Sequence, residues 1–267
     1  MPVFTRLLSP ADYGIIAIFG VMLTILSPFI ALDSIWSVSI AFFLKDRFDN
    51  ASYLGTVFLF GVQTCLLITC FFYLFQHSIS KAFLFPEKWI CLVPLAAFFQ
   101  FVISLTLVSC QIREKPRSYG IFQTSSIIFE IVLSLVLVAY LGMGWEGRIS
   151  SKLFISALFS IAGIIILVRR SWIKFEINKE CFLHSIKIGV PMIPHNLSGV
   201  LNASVDRLFI THMIGLYDAG LYSVGYQIGG IIGLVATSFN NAYLPWIFKK
   251  LSTNDDAMKS AIVMFTY

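Results

Sequence analysis

Charge is scarce in this chain. Of its 267 residues only 12% are Asp, Glu, Lys or Arg, about half the share of a soluble domain. Long stretches carry none, and the mean hydropathy is +0.85. Such a chain does not present the solvated surface of a soluble enzyme or binding module. It reads as an all-α integral membrane protein. A cleavable signal peptide is not expected, because residues 1–12 hold no apolar core behind a basic start. Metal or redox cysteine spacing is missing too. Cys65, Cys70, Cys91, Cys110 and Cys181 are scattered, four of them in apolar runs, and read as small hydrophobes. No metal and no cofactor is expected. The net charge of +5 does not indicate nucleic acid, since the basic residues sit between apolar runs, where membrane orientation places them.

Apolar runs are plentiful. The pattern predicts seven complete crossing helices, at 13–43, 52–76, 89–111, 119–142, 150–168, 186–211 and 218–247, and an eighth from about 258. About 20 residues cross the hydrocarbon. The first run is too long for a straight crossing, so it breaks at Ser27-Pro28, tilts, or extends beyond the bilayer. The fifth is short and needs Ile149 to Ser151 to complete it. One side of the alternating loops collects thirteen Lys and Arg and the other six. The richer side, which includes Arg113, Lys115 and Arg117, is assigned to the cytoplasm. Residues 1–12 then lie outside, and a helix before residue 1 is expected. Large loops are absent, none exceeding about 20 residues. That leaves no room for an extramembrane catalytic domain and argues against a membrane glycan polymerase.

The segment from Gly189 to Pro245 is the most informative. Asp206 and Arg207 interrupt an apolar helical run, and fixed charges beside hydrocarbon have a partner or a task. His195, Ser198, Asn202 and Asp206 lie on one helical face. A polar stripe on a membrane helix should face protein or water. Residues 7–18, LLSPADYGIIAI, match residues 213–224, MIGLYDAGLYSV, at an offset of 206. Asp12 aligns with Asp218 and Gly14 with Gly220. An even number of predicted crossings separates the copies, which describes a parallel repeat about an axis along the membrane normal. The repeat predicts a first lobe over 1–170, a cytoplasmic linker over 171–187 and the start of a second lobe over 188–267. It also predicts a counterpart of helix 186–211 before residue 1 and four more helices after residue 267.

Arg6 to Ile15, RLLSPADYGI, resembles the entry to the second helix of Wzx-type polysaccharide flippases of the MOP exporter superfamily. So do the Gly189-x-Pro191 turn, Asp206-Arg207, the run from Gly215 to Tyr226, Phe239-Asn240 and Pro245. The resemblance implies a MATE/MOP-like fold of two six-helix lobes around a central cavity. Here the first helix and most of the second lobe are lacking. It implies translocation of undecaprenyl-diphosphate-linked oligosaccharide across a bacterial inner membrane, for O-antigen or capsule synthesis. Implied partners are lipid-linked oligosaccharide, membrane lipids, and the glycan polymerase and glycosyltransferases of the pathway, with no nucleic acid. One departure stands out: after Leu32-Asp33-Ser34, where the family often carries an Arg, no cation stands before Lys45.

Moving a lipid diphosphate needs cations for the phosphates, hydroxyl or amide groups for the sugars, and water, but no nucleophile or general base. Arg207 is the first candidate cation; the alternative is that it pairs with Asp206 and fixes the helix end. Asp206 is structural or couples a cation. Glu130, near the middle of its run, is either proton-coupled or held in an interhelical hydrogen bond. Asp33 is expected near the cytoplasmic boundary. His195 and Asn202 either bond between helices or line a sugar path; Gln63, Gln100, Gln227, Asn240 and Asn241 are weaker candidates of the same kind. Pro191 and Pro194 are expected in the first turns of their helix. Arg113, Lys115 and Arg117 contact anionic lipid and set orientation, or help capture the diphosphate. Other readings are a drug/cation antiporter of the same superfamily, a membrane-embedded glycosyl- or acyltransferase, and an inactive flippase remnant. No catalytic cluster on a membrane-edge loop supports the transferase.

Overall fold

Ser9 and Asp12 set the start of the first long helix. The Ser9 hydroxyl accepts from the Asp12 amide at 3.2 Å, and the Asp12 carboxylate accepts from the Ser9 amide at 2.9 Å. This reciprocal box satisfies two amides that a helix start leaves unbonded. A computed structural model describes residues 4–43 and 48–251 of the chain. The eighth run expected near 258, with Lys45, Arg47 and Lys259, falls outside them.

Helix α1 (Phe4–Leu7) precedes α2 (Pro10–Leu26). A 3-10 segment, Ser27–Asp33, comes next, and then α3 (Ile35–Phe43). The long first run therefore breaks where Ser27-Pro28 predicts, because Pro28 cannot donate to the helix ladder. Then come α4 (Asn50–Leu74), α5 (Gln76–Phe83), α6 (Leu92–Ile112) and α7 (Pro116–Leu135), which runs into a π turn at Val136–Tyr140. Helices α8 (Gly144–Arg169), α9 (Lys179–Met213) and α10 (Leu216–Leu251) complete the described chain. No strand occurs among the described residues.

Five stretches among the described residues are long and apolar enough to cross a membrane: Pro10–Asp33, Asn50–Leu74, Glu87–Ile112, Pro116–Tyr140 and Gly144–Arg169. The chain is thus a multi-pass all-α membrane protein. Helices α9 and α10, at 35 and 36 residues, are longer but are not among the five. In α9 two prolines, His195, Asn196 and Asn202 dilute the apolar run.

Two helix starts differ from expectation. Helix α8 begins at Gly144, ahead of the expected 150, so Glu146 and Arg148 lie inside a helix rather than in a loop. Helix α9 begins at Lys179, ahead of 186, because the Asn178 side chain caps the amides of Glu180 and Cys181 at 2.9 and 3.3 Å. Pro191 and Pro194 consequently fall in the interior of α9, not in its first turns.

The chain forms two compact units, Met1–Leu221 and Tyr222–Tyr267. The core of the first is built from α2, α4, α6 and α8, around Ile18, Phe19, Leu54, Val57, Leu105 and Leu167. In the second, Tyr222 and Tyr226 stack obliquely on α10 with centroids 6.1 Å apart.

The repeated motif has a physical counterpart in the first unit. A Cβ on Gly14 would lie 2.1 Å from the Leu216 carbonyl oxygen, and one on Gly220 would lie 1.8 Å from that of Pro10. At the offset of 206, Pro10 corresponds to Leu216 and Gly14 to Gly220. Each copy thus presses its glycine on the other's first helical carbonyl, the reciprocity of a two-fold contact.

The segment after α8 is tied to the start of α4. Thr56 donates to the Glu176 carbonyl at 3.0 Å and accepts from the Asn178 amide at 3.1 Å. Lys174 Nζ donates to Asp49 at 2.8 Å. That hydrogen bond holds the Asp49 carboxyl below its ordinary range and the Lys174 ammonium above its own. A lowered acid stabilises above its unfolded value, about 3.9, and the effect is lost as pH falls through the folded value. A raised base stabilises below about 10.4 and loses the effect as pH rises through its folded value. The stability difference between the native chain and Lys174→Gln should therefore be flat near neutrality, shrink below about pH 4 and shrink again in strong alkali. Both groups are exposed, so salt should diminish it. A difference unchanged in melts at pH 3 would contradict the pairing.

Candidate functional site

The helix break opens the first of two polar chambers. Ala31, Leu32 and Asp33 all adopt left-handed backbone angles, with φ of 53°, 46° and 56°. Three such residues without a glycine are strained, and strain of this kind persists only where the surroundings impose it. Two contacts do so. The Ala31 amide donates to Thr64 Oγ1 of α4 at 2.9 Å. Gly189 of α9 sits on the Leu32 carbonyl so closely that a Cβ there would lie 2.1 Å from the oxygen.

Beyond the break lies a cavity of about 520 Å³, whose lining includes Thr24, Ser27, Asp33, Gln100, Asn196 and Ser204. Asn196 Nδ2 donates to the Asp33 carboxylate. Asp33 was expected near the cytoplasmic boundary. It lines this chamber with Gln100 and Phe101 of α6, just past the residues Ile30 to Leu32 that leave helical geometry.

A second cavity, of about 250 Å³, lies between α6, α7 and α8. Gln123, Ser126 and Glu130 line it from α7, and Lys152 and Ser156 from α8. Gln100 and Ser104 of α6 line both chambers. Glu130 Oε1 is 3.5 Å from Arg148 Nη2. Lys152, one turn beyond Arg148 on α8, shares the chamber with this carboxylate. Arg148 and Lys152 were missed as site residues, because their charges read as loop charges. The signal that finds them is their spacing of four, which puts both on the helix face that also carries Ser156.

The stripe on α9 faces elsewhere. His195, Ser198, Asn202 and Asp206 are exposed on the first unit, whereas Asn196, Gly199, Val200, Ala203 and Ser204 line the larger chamber. Arg207 is half-buried, and its carbonyl accepts from Thr211 Oγ1 at 2.6 Å. The next residue, His212, donates from Nε2 to the Ala82 carbonyl at 2.8 Å, which ties the end of α9 to α5. Arg113 and Lys115 stand together over the Trp172 ring, while Arg117 is exposed. Among the described residues, no group of three His, Cys, Asp or Glu is placed to hold a metal. Amides, hydroxyls and a few charges in these chambers can solvate a polar solute.

The family described as "polysaccharide biosynthesis protein" matches residues 3–265. A Haemophilus influenzae membrane protein is 24% identical over 97% of this chain and 62% of its own length. The Staphylococcus aureus capsular polysaccharide biosynthesis protein CapF is 24% identical over 92% of this chain and 60% of its own. The Rhizobium meliloti succinoglycan biosynthesis transport protein ExoT is 21% identical over all of this chain and 53% of its own. The chain therefore spans between 53% and 62% of the length of these relatives. No solved structure matches it. With a family match over nearly all of its length on an apolar helical fold, the chain belongs to the polysaccharide biosynthesis protein family.

Proposed function

We propose that this chain is part of a flippase that moves polyprenyl-diphosphate-linked oligosaccharide across the bacterial plasma membrane for surface polysaccharide assembly. The pair of polar chambers joined at Gln100 and Ser104 carries the reading. Their amide and hydroxyl lining suits sugar hydroxyls, and Lys152 and Arg148 supply positive charge to an anionic carrier. Two relatives bear names tied to polysaccharide synthesis, and one of those names includes transport. Asp33 and Asn196 then contact glycan, and Glu130 keeps the two α8 cations in place rather than coupling a proton. His195, Asn202 and Asp206, on the first helix of the second lobe, face the cleft between lobes, and Arg207 meets the diphosphate or holds the helix end. A cationic-drug antiporter would favour unpaired acids deep in a cavity, whereas Glu130 is paired with Arg148. Gln100 touches both chambers, so it is the residue to test. In a host that depends on the full-length protein, Gln100→Leu should cut surface polysaccharide at least tenfold with the protein still present in the membrane. Normal surface polysaccharide in that variant would overturn the role of the chambers.

A further inference from the structure

Helices α6 and α8 end beside one another on the side richer in basic residues, and they end in the same way. Arg113 terminates α6, and Glu114 comes next at φ +52°. The Glu114 amide donates to Gln111 and the Lys115 amide to Cys110, both at 3.0 Å. Arg170 terminates α8, and Ser171 comes next at φ +54°. The Ser171 amide donates to Val168 and the Trp172 amide to Leu167, both at 2.9 Å. This is one capping turn made twice, with Glu and Ser where glycine is usual.

The two turns bring three cations onto one indole. Arg113 Cζ lies 4.6 Å from the Trp172 ring centroid, Lys115 Nζ 4.8 Å and Arg170 Cζ 4.9 Å. Trp172 is only 8% exposed. Arg113 also lies 5.3 Å from the Phe42 ring. Cations suit helix C-terminal ends, and basic loops set orientation. Neither effect calls for three like charges to converge on a single ring. Among the described residues, no carboxylate lies within ion-pair distance of any of the three. Arg113 Nε is buried and has no hydrogen-bond partner among them. Burial also pushes the Arg113 guanidinium below its ordinary value, the cost of a cation left without a counter-charge.

A further group points to the same place. Lys115 precedes the N-terminus of α7 and makes no side-chain cap there. Pro116 opens α7 without an amide of its own, so the Arg117 and Ser118 amides are the ones that face outward from this helix start, and the helix dipole there favours an anion. All three crossing helices begin or end at this level, so a lipid headgroup reaches it, and an indole suits that depth.

We infer that Arg113, Lys115 and Arg170, gathered on Trp172 at the start of α7, form a binding site for the phosphate of a membrane lipid in the cytoplasmic leaflet. Phosphatidylglycerol and a polyprenyl diphosphate share that chemistry, and binding distinguishes them. The chain is purified in dodecyl maltoside, which carries no phosphate, and titrated separately with each lipid, and with diacylglycerol, which lacks the phosphate. Retained lipid is counted by native mass spectrometry. Both phosphate lipids should bind and diacylglycerol should not. Lys115→Gln, at an exposed position, should weaken binding about fivefold, and Arg113→Gln with Arg170→Gln about thirtyfold. Lys81→Gln, near the opposite membrane face, should leave it unchanged. Weakening for one phosphate lipid alone identifies the source. Unchanged binding of both lipids in Lys115→Gln and in a natively folded double variant overturns the site, as does equal retention of diacylglycerol. No transport is measured, so failure here leaves the translocation reading intact, and failure of transport leaves the binding result intact.

Discussion

Gly220→Ala should lower the unfolding midpoint of the purified chain by about 8 °C, as expected for about 3 kcal/mol in a protein of this size. The new Cβ would stand 1.8 Å from the Pro10 carbonyl oxygen. That obstacle is backbone at the first position of α2, so no rotamer change relieves it. The helix starts must separate, and the contact made by Gly14 on Leu216 opens with them. Gly14→Ala should therefore cost a similar amount. The double variant should cost much less than the sum, because either substitution already destroys the shared contact. Gly20→Ala is the control: a Cβ there meets nothing within 4 Å. Additive losses from Gly14 and Gly220 would show that the two glycines act separately and would remove the two-fold contact from the account.

Glu130→Gln should cost about 1–2 kcal/mol, between the losses expected for exposed and for fully buried pairs, because both side chains are partly exposed. Arg148 and Lys152 would then stand one turn apart on α8 without the Glu130 carboxylate. The converse change should be mild. Lys152→Met leaves Glu130 its partner Arg148 at 3.5 Å and places an apolar chain among Ile103, Leu107 and Ile155. Adding Lys152→Met to Glu130→Gln should recover part of the loss. Unfolding of the three variants in the same detergent decides it. If Lys152→Met is as damaging as Glu130→Gln, the carboxylate is not shared between two cations and another group must hold Lys152.

The crossing helices were legible in the sequence, because an apolar run of membrane length admits little else. The break at Ser27-Pro28 was legible through the proline. The backbone conformation just past the break was not. Nothing in Ile30-Ala31-Leu32 announces left-handed geometry, since neither glycine nor asparagine occurs there and the conformation is imposed by Thr64 and Gly189. Glu130 stood out as a charge in an apolar run, but its partner lies across a hairpin, where Arg148 reads as an ordinary loop cation. On α9 the polar stripe draws the attention. The chamber is lined instead by its less conspicuous neighbours, Asn196 and Ser204, beside small residues.

The broken first run also sets the terms on which an acid can live inside this membrane protein. An unbroken helix at Asp33 would have every nearby amide spent on its own ladder. Splitting it into α2 and α3 creates a fresh helix start at Ile35, with unspent amides and a partial positive charge next to Asp33. Acid and break are therefore tied together in inheritance. A lineage that straightened the helix would strand the carboxylate, and one that lost the carboxylate would keep the strain of three left-handed residues with no charge for the new helix end to hold.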